Sequence, residues 1–487
     1  MISSETPNLL ISQQRKQYWH GNRANRLRHW PECGTILAMK DAIKEVLREF
    51  YQDGLPPGIV HRDVAYFENL TSATVVKGMR RTGKTYVTYE RMAALMDSGV
   101  PQGRIVHLNF EDDRIKAMHL EDLQLINEIH AELFPEYAHE KCWYYLDELQ
   151  NIKGWEAYAR RLVDSPKVVL CLTGSSSKLL SEEIATAMRG RSIPIEVFPL
   201  SFPEFLRFNG IMEKLPAPKK GFTAAERGIL RNAAQKYLDV GGFPAVQGMP
   251  DAMRIATLQE YVHTVLYRDV LQRHKVVSVQ SLLCTLDYLL HNFARRTSAH
   301  AISGVLKNLA YPSRREDIAD YISYFKDAYM VYPVSVMSDS LAVKRVNPDK
   351  YYIVDTGLVR AMSVKNDAEK GWLLENLVSM ALRRGVNKIE YVTNPDGTEV
   401  DFHVVDMVAK KRRLVQVAWT MQDRTTVSRE MSALELARRN LHVDDCTIVT
   451  WDDEAELDSG IKVVPAWKWL LAENNPQGTL GNERVNR

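Results

Sequence analysis

From residue 73 to residue 198, short apolar runs alternate with longer mixed stretches. Ala73–Lys77, Arg104–Phe110 (RIVHLNF), Cys142–Leu146 (CWYYL), Val168–Thr173 (VVLCLT) and Ile193–Phe198 are rich in β-branched and aromatic residues. Such runs predict strands. Tyr86–Met96 and Trp155–Val163 lie between them and read as helices. Strand and helix in alternation predict an α/β domain. Leu215–Gly221 (LPAPKKG) has the composition of a connector. Beyond it, helices are expected at Ala224–Leu238 and Arg254–Arg273, separated by the breaker Gly241-Gly242-Phe243-Pro244. A helical region at about 278–333 ends in Ile318–Ala328 and the apolar Tyr329–Val336, a helix running into a strand. From about residue 350 the alternation returns. Strands are expected at Tyr351–Val354, 388–392, 399–405, 413–419 and 446–451, with helices at Trp372–Arg384 and 427–440.

A chain of 487 residues exceeds one hydrophobic core, so several domains are expected. With 45% hydrophobic and 25% charged residues, the composition is that of ordinary globular protein. A net charge of +2 confines any nucleic-acid surface to a local patch. Residues 1–35 are one candidate: Arg15, Lys16, Arg23, Arg26 and Arg28 alternate with Tyr18, Trp19 and Trp30. That arm suits phosphate contact and base stacking, or equally a solvated segment packing its tryptophans on the next domain. The five cysteines are scattered and form no C-x-x-C pair, which argues against disulfides and structural zinc. No apolar run approaches the roughly 20 residues of a membrane helix, and no signal pattern opens the chain. A cytoplasmic protein without a membrane partner is expected.

Gly78-Met79-Arg80-Arg81-Thr82-Gly83-Lys84-Thr85 fits G-x-x-x-x-G-K-[ST], follows a predicted strand and opens a predicted helix. The glycines let successive backbone N–H groups face a phosphate. Lys84 would reach the β- and γ-phosphates, and the Thr85 hydroxyl would ligate Mg²⁺. The helix N-terminus adds its positive dipole end. Downstream, Trp143–Leu146 leads into Asp147-Glu148. Asp147 would hold Mg²⁺ and Glu148 would polarise an attacking water. At the tip of the next strand Thr173, with Ser175 as the alternative, would orient that water. Small-molecule kinases seldom carry a second acid directly after the Mg²⁺ aspartate, so the pair points to water as the phosphoryl acceptor.

These motifs resemble the AAA+-type ATPases of bacteria and archaea that join a P-loop domain to a winged-helix region and a C-terminal restriction-endonuclease-like module. The shared landmarks are GMRRTGKT (78–85), LNFEDDR (108–114), YYLDELQ (144–150), LTGSSS (172–177), MRGRSIPIEVFPLSFPEF (188–205), YLDVGGFPAV (237–246), LYRDVLQRH (266–274), YYIVDTGL (351–358), GWLLENLV (371–378) and EVDFHVV (399–405). They cover nearly the whole chain beyond residue 70. The resemblance implies an α/β multidomain protein: an arm at 1–35 and a P-loop AAA+ (ASCE) domain at 36–208, a parallel sheet with helices on both faces. A helical lid and winged-helix-like region would span 222–345, a PD-(D/E)xK nuclease-like domain 346–475, and a tail 476–487. It also implies an arginine finger in Arg189-Gly190-Arg191, with Arg191 preferred, and hence a homo-oligomer. An intramolecular ion pair with an acid such as Glu182 is the competing role for Arg191.

Residues 371–451 read helix, three strands, helix, strand, the PD-(D/E)xK core order. Glu375, Glu399 and Asp401 match its acidic positions, and Asp401 is where such enzymes hold a metal ion. The third strand breaks the pattern: Gln416-Val417-Ala418 has alanine where the lysine belongs. Lys410 and Lys411 lie nearby in the hairpin sequence KKRR and are candidates for a migrated lysine. Arg295, Arg296, Arg314 and Arg315 either face DNA or pair with Glu316, Asp317 and Asp320. The leading expectation is an ATPase using ATP and Mg²⁺, acting with DNA or a protein partner, its nuclease-like module not cleaving. An ATP-regulated DNA nuclease and a slowly hydrolysing nucleotide switch remain as alternatives.

Overall fold

A computed structural model describes residues 31–66, 71–174, 188–215, 221–312, 314–363, 370–422 and 424–473. The basic-aromatic arm up to Trp30, Ser175, Glu182 and the 476–487 tail fall outside the described residues.

The first sheet contains β1 (Ala73–Lys77), β2 (Ile105–Asn109), β3 (Cys142–Asp147), β4 (Val168–Gly174) and β5 (Ser192–Glu196). All pairs are parallel, in the order β2-β3-β4-β1-β5. Alternate side chains of each strand enter two separate cores. Val75, Leu108, Leu146 and Leu172 meet the helices Pro31–Asp53, Leu123–Leu133 and Glu156–Asp164 on one face. Val76, Tyr145 and Cys171 meet the helix Lys84–Asp97 on the other. Burial on both faces explains why these strands read as continuous apolar runs.

The middle region opens with the helix Ala224–Val240, started by a Thr223–Glu226 capping box and ended by Gly241 at φ +77°. The expected single helix at 254–273 is an α-helix, Asp251–Thr264, followed by a π-helical segment, Val265–Leu271. Helices Val279–His291, Ala299–Asn308 and Arg315–Asp327 pack beside β6 (Arg296–Thr297), β7 (Val331–Val334) and β8 (Asp349–Ile353), an antiparallel sheet in the order β6-β8-β7. Tyr351–Val354, expected to start the last module, instead pairs with β7, Tyr352 opposite Tyr332. An apolar strand reads alike in either sheet. Here the Asn376 side chain takes the Ile353 backbone on its other edge, accepting from its N–H at 2.7 Å and donating to its carbonyl at 2.9 Å.

The last sheet comprises β9 (Asn387–Thr393), β10 (Glu399–Asp406), β11 (Arg412–Ala418), β12 (Cys446–Thr450), β13 (Ala455–Glu456) and β14 (Lys462–Pro465), ordered β13-β14-β12-β11-β10-β9. Helices Lys370–Arg384, Arg424–Leu441 and Ala466–Glu473 accompany it. One apolar core runs from Met79 in the phosphate loop through Phe198, Phe243 and Tyr352 to Leu374 and Trp467. The three regions are therefore welded by shared packing. Gly242 and Gly357 sit at the seam: a Cβ on Gly242 would lie 2.4 Å from the Leu200 carbonyl oxygen, and one on Gly357 2.1 Å from that of Val240.

Candidate nucleotide site

The loop 78–85 leaves the carboxyl end of β1 and enters the helix Lys84–Asp97. Gly78 has φ +144°, and a Cβ there would stand 2.2 Å from the Val197 carbonyl oxygen, so only glycine fits. Gly83, at φ +95°, caps the helix N-terminus. Lys84 is buried, its ammonium donating to the carbonyls of Gly78 (3.2 Å) and Met79 (3.0 Å). Burial lowers its pKa, against the pull of Glu148 and Asp147. Thr82 donates to the Met79 carbonyl at 3.0 Å.

β3 carries the two acids to the same edge, one strand removed from β1. The Thr85 hydroxyl donates to Asp147 Oδ2 at 2.7 Å. Burial, and then the charge of Glu148, push the Asp147 carboxyl up to about 6. Glu148 turns off the strand at φ 55°, its N–H donating to the Thr173 carbonyl at 3.1 Å, and its carboxylate accepts from Gln150. Thr173 stands opposite Asp147 in the β3–β4 register, and its hydroxyl is buried with no hydrogen-bond partner among the described residues. Two buried acids, a threonine on one of them and an unsatisfied hydroxyl alongside suit a cation and an ordered water. These residues fit a magnesium nucleotide.

Of the remaining loop positions, Arg80 turns away from the cradle, its Nε bonding the buried Asp269 of the π-helical segment at 2.9 Å and its Nη1 reaching Glu111 at 3.2 Å. Arg81, at φ 69°, lies over the Tyr261 ring at 6.0 Å. Arg191 is on the surface in an ion pair with Asp164.

The sequence reading missed the group that fixes the loop from below. Arg62, 5% exposed, donates to the Thr82 carbonyl (3.0 Å), the Phe198 carbonyl (2.8 Å) and Glu204 Oε1 (2.9 Å). Burial alone would raise the Glu204 carboxyl, but Arg62 and Arg384 beside it hold it down at about 2. Glu204 had a signal in the sequence, the Ser201-Phe-Pro-Glu204 capping box. Arg62 had none.

A relative described as "Uncharacterized protein MJ1544", from Methanocaldococcus jannaschii, is 30% identical over 450 residues, which are 90% of this chain and 97% of that protein. The chain belongs to the MJ1544 family. Residues 71–206 match the model of an AAA domain, so this is a P-loop AAA+ family protein, in agreement with the parallel five-stranded sheet. Residues 231–398 match a domain of unknown function (DUF8612). A protein from Haemophilus influenzae, described only as uncharacterized, is 26% identical to this MJ1544-family chain over 83% of its residues and 96% of the relative's. The solved Aeropyrum pernix ORC1 protein in complex with DNA is 14% identical, covering 67% of this chain and 91% of its own, at a TM-score of 0.25. That overlap is too loose to carry an argument.

A second cluster lies in the last module of this MJ1544-family chain. Glu375, Glu399, Asp401 and Gln416 come together at one pocket of about 720 Å³, with Trp372 and Trp419 in its wall. Gln416 accepts from the Asp401 N–H at 3.1 Å and donates to Glu430 Oε2 at 2.6 Å. Into the carboxylates comes Lys350, from β8 of the middle sheet. Burial, together with Asp401, pushes the Glu375 carboxyl above its usual range. Lys410 and Lys411 are no substitutes for the lysine absent at position 418. They sit at the far end of the β10–β11 hairpin, where Val405 pairs with Arg412. Lys411 lies five steps along the chain from Gln416, roughly 17 Å in a strand.

Of the arginines of the middle region, Arg314 takes an expected acidic partner, whereas Arg295 and Arg296 turn to the last module. Arg295 lies 3.6 Å over the Trp372 ring, Arg296 pairs with Glu399 at 3.1 Å, and Arg314 pairs with Asp317 at 3.2 Å. No helix among the described residues is long and apolar enough to cross a membrane.

Proposed function

We propose that this protein binds ATP with Mg²⁺ at residues 78–85 and hydrolyses it, and that hydrolysis is coupled to DNA or a protein partner. The observation that carries the reading is the 2.7 Å bond from Thr85 to Asp147, with Glu148 next in the chain and Thr173, its hydroxyl unsatisfied among the described residues, opposite Asp147 across the strand pair. The backbone N–H groups of 78–85 and the Lys84 ammonium would hold the phosphates. Thr85 and Asp147 would hold the metal ion, which supplies charge neutralisation when bound. Glu148 would accept the proton of a water that Thr173 orients. Arg191, partly exposed and paired with Asp164 at the surface, would serve a neighbouring copy's nucleotide in an oligomer.

The order helix, β6, helix, helix, β7, a short helix at Leu341–Val346 and β8 supports a winged-helix reading of the middle region, one route to DNA. The order helix, β9, β10, β11, helix, β12 supports the nuclease-like reading of the last module. Alanine at 418 supports a module that does not cleave. The test is steady-state ATP turnover by purified protein with and without double-stranded DNA. Turnover raised several-fold by DNA is the expected result. Turnover that DNA leaves unchanged removes the DNA coupling, and none under any condition removes the ATPase.

A further inference from the structure

Lys350 leaves its own sheet and ends inside the neighbouring module. Its ammonium nitrogen stands 2.9 Å from Glu375 Oε1, 2.6 Å from Glu399 Oε1 and 2.9 Å from Asp401 Oδ1, with the side chain 4% exposed. Of the ammonium's three N–H donors, one goes to Glu375 and one to Asp401, and Glu399 pairs with the same charge. The outer oxygens of Asp401 and Glu399 are engaged as well. Asp401 Oδ2 accepts from the Val417 N–H at 3.0 Å, and Arg296 lies 3.1 Å from Glu399 Oε2. The Tyr352 hydroxyl donates to Glu375 Oε1 at 2.7 Å, beside the lysine.

The nuclease-like reading calls for a divalent ion among these same three acids. The residues present do not fit one. Mg²⁺ or Mn²⁺ requires near-octahedral oxygen ligands at about 2.0–2.2 Å and retains several waters. The point on which the three carboxylates converge is held by a nitrogen, and the lysine stem fills the approach from β8. A second cation placed within about 3 Å of an ammonium in a buried site would be strongly repelled.

We propose that Lys350 takes the place of the metal ion in the C-terminal module. The acidic cluster is then an internal ion pair that fastens the last module to the middle sheet, and the pocket beside it works without a divalent ion. This rests on the nuclease-like reading of residues 370–451. It differs from that reading's missing lysine, because Lys350 neutralises the acids where the lysine sought at 418 would assist a metal-bound site.

The test is Mn²⁺ titration of the full chain without nucleotide, with free Mn²⁺ read by electron paramagnetic resonance, on wild type, Asp401→Asn, Lys350→Met and the Lys350→Met/Asp401→Asn double variant. Wild type and Asp401→Asn should bind Mn²⁺ identically. Lys350→Met should gain one site at least tenfold tighter than anything in wild type, and the double variant should lose it. A wild-type site that Asp401→Asn removes would overturn the proposal, and that comparison keeps the natural lysine and does not depend on Lys350→Met folding. A folded Lys350→Met chain that gains no site would overturn it too. Plasmid cleavage with Mn²⁺ separates the two levels: cleavage by wild type, lost in Asp401→Asn, sinks the non-cleaving reading as well, whereas metal binding without cleavage sinks the lysine proposal alone.

Discussion

Replacing Arg62 by methionine tests how the phosphate loop is held. The side chain is buried, so methionine keeps most of its packing while removing the charge and all three bonds. Glu204 would retain the N–H groups of Asp63 (2.7 Å) and Ser201 (2.6 Å), with Arg384 4.0 Å away. Its carboxyl lies at about 2 in the folded chain against an ordinary 4.5. At about 1.4 kcal/mol per pH unit, that difference is worth about 3 kcal/mol. The Thr82 and Phe198 carbonyls each lose a donor, worth about 1 kcal/mol apiece. Arg62→Met should therefore destabilise by about 3–5 kcal/mol at pH 7, the range for breaking a buried pair. A folded-state value below the unfolded one means that the Glu204 contribution is complete above the ordinary carboxylate range and disappears as pH falls toward 2. Urea unfolding of both proteins, followed by tryptophan fluorescence, should show the gap shrinking by about 2 kcal/mol between pH 7 and pH 3. A gap below about 1 kcal/mol at pH 7, or one that ignores pH, would refute the role given to this pair.

Other perturbations separate the remaining contacts. Asn376→Ala leaves the buried Ile353 N–H and carbonyl unpaired and should cost about 2–4 kcal/mol in chemical denaturation. Gly357→Ala drives a Cβ to 2.1 Å from the Val240 carbonyl oxygen. The backbone must shift there, so a loss of about 1–3 kcal/mol in the same assay is expected. Thr85→Ala removes the donor to Asp147 and should weaken Mg²⁺-dependent ATP binding at least tenfold in isothermal titration, with metal-free binding little changed. Arg80→Ala should lower stability without abolishing nucleotide binding, since its guanidinium faces Asp269 and Glu111 rather than the cradle. Arg273, 3.0 Å from Asp269, limits the loss.

The phosphate loop was legible because its chemistry is spelled by eight adjacent residues, and Asp147-Glu148 because an apolar strand ends there. Helix Lys370–Arg384 and strands β9 to β12 were legible because period and burial agree along each. What escaped depends on contacts between distant parts of the chain. Arg62 and Glu204 meet across 142 positions, and Lys350 meets Asp401 across 51. A lone lysine in an apolar strand gives no sign of three carboxylates waiting in another module. The placement of β8 failed for a related reason: Tyr351–Ile353 has the side chains of a buried strand, and nothing in them names the partner. The π-helical turn at 265–271 reads as plain helix, because nothing in the composition of VLYRDVL separates a π turn from an α turn.

The measurement closest to the central claim is steady-state ATP hydrolysis by wild type and Glu148→Gln, alongside equilibrium ATP binding by both. The amide removes the proton acceptor and little else, so binding should persist while turnover falls at least a hundredfold. Equal turnover in the two proteins, with ATP bound by both, would contradict the assignment of Glu148 as the residue that activates water.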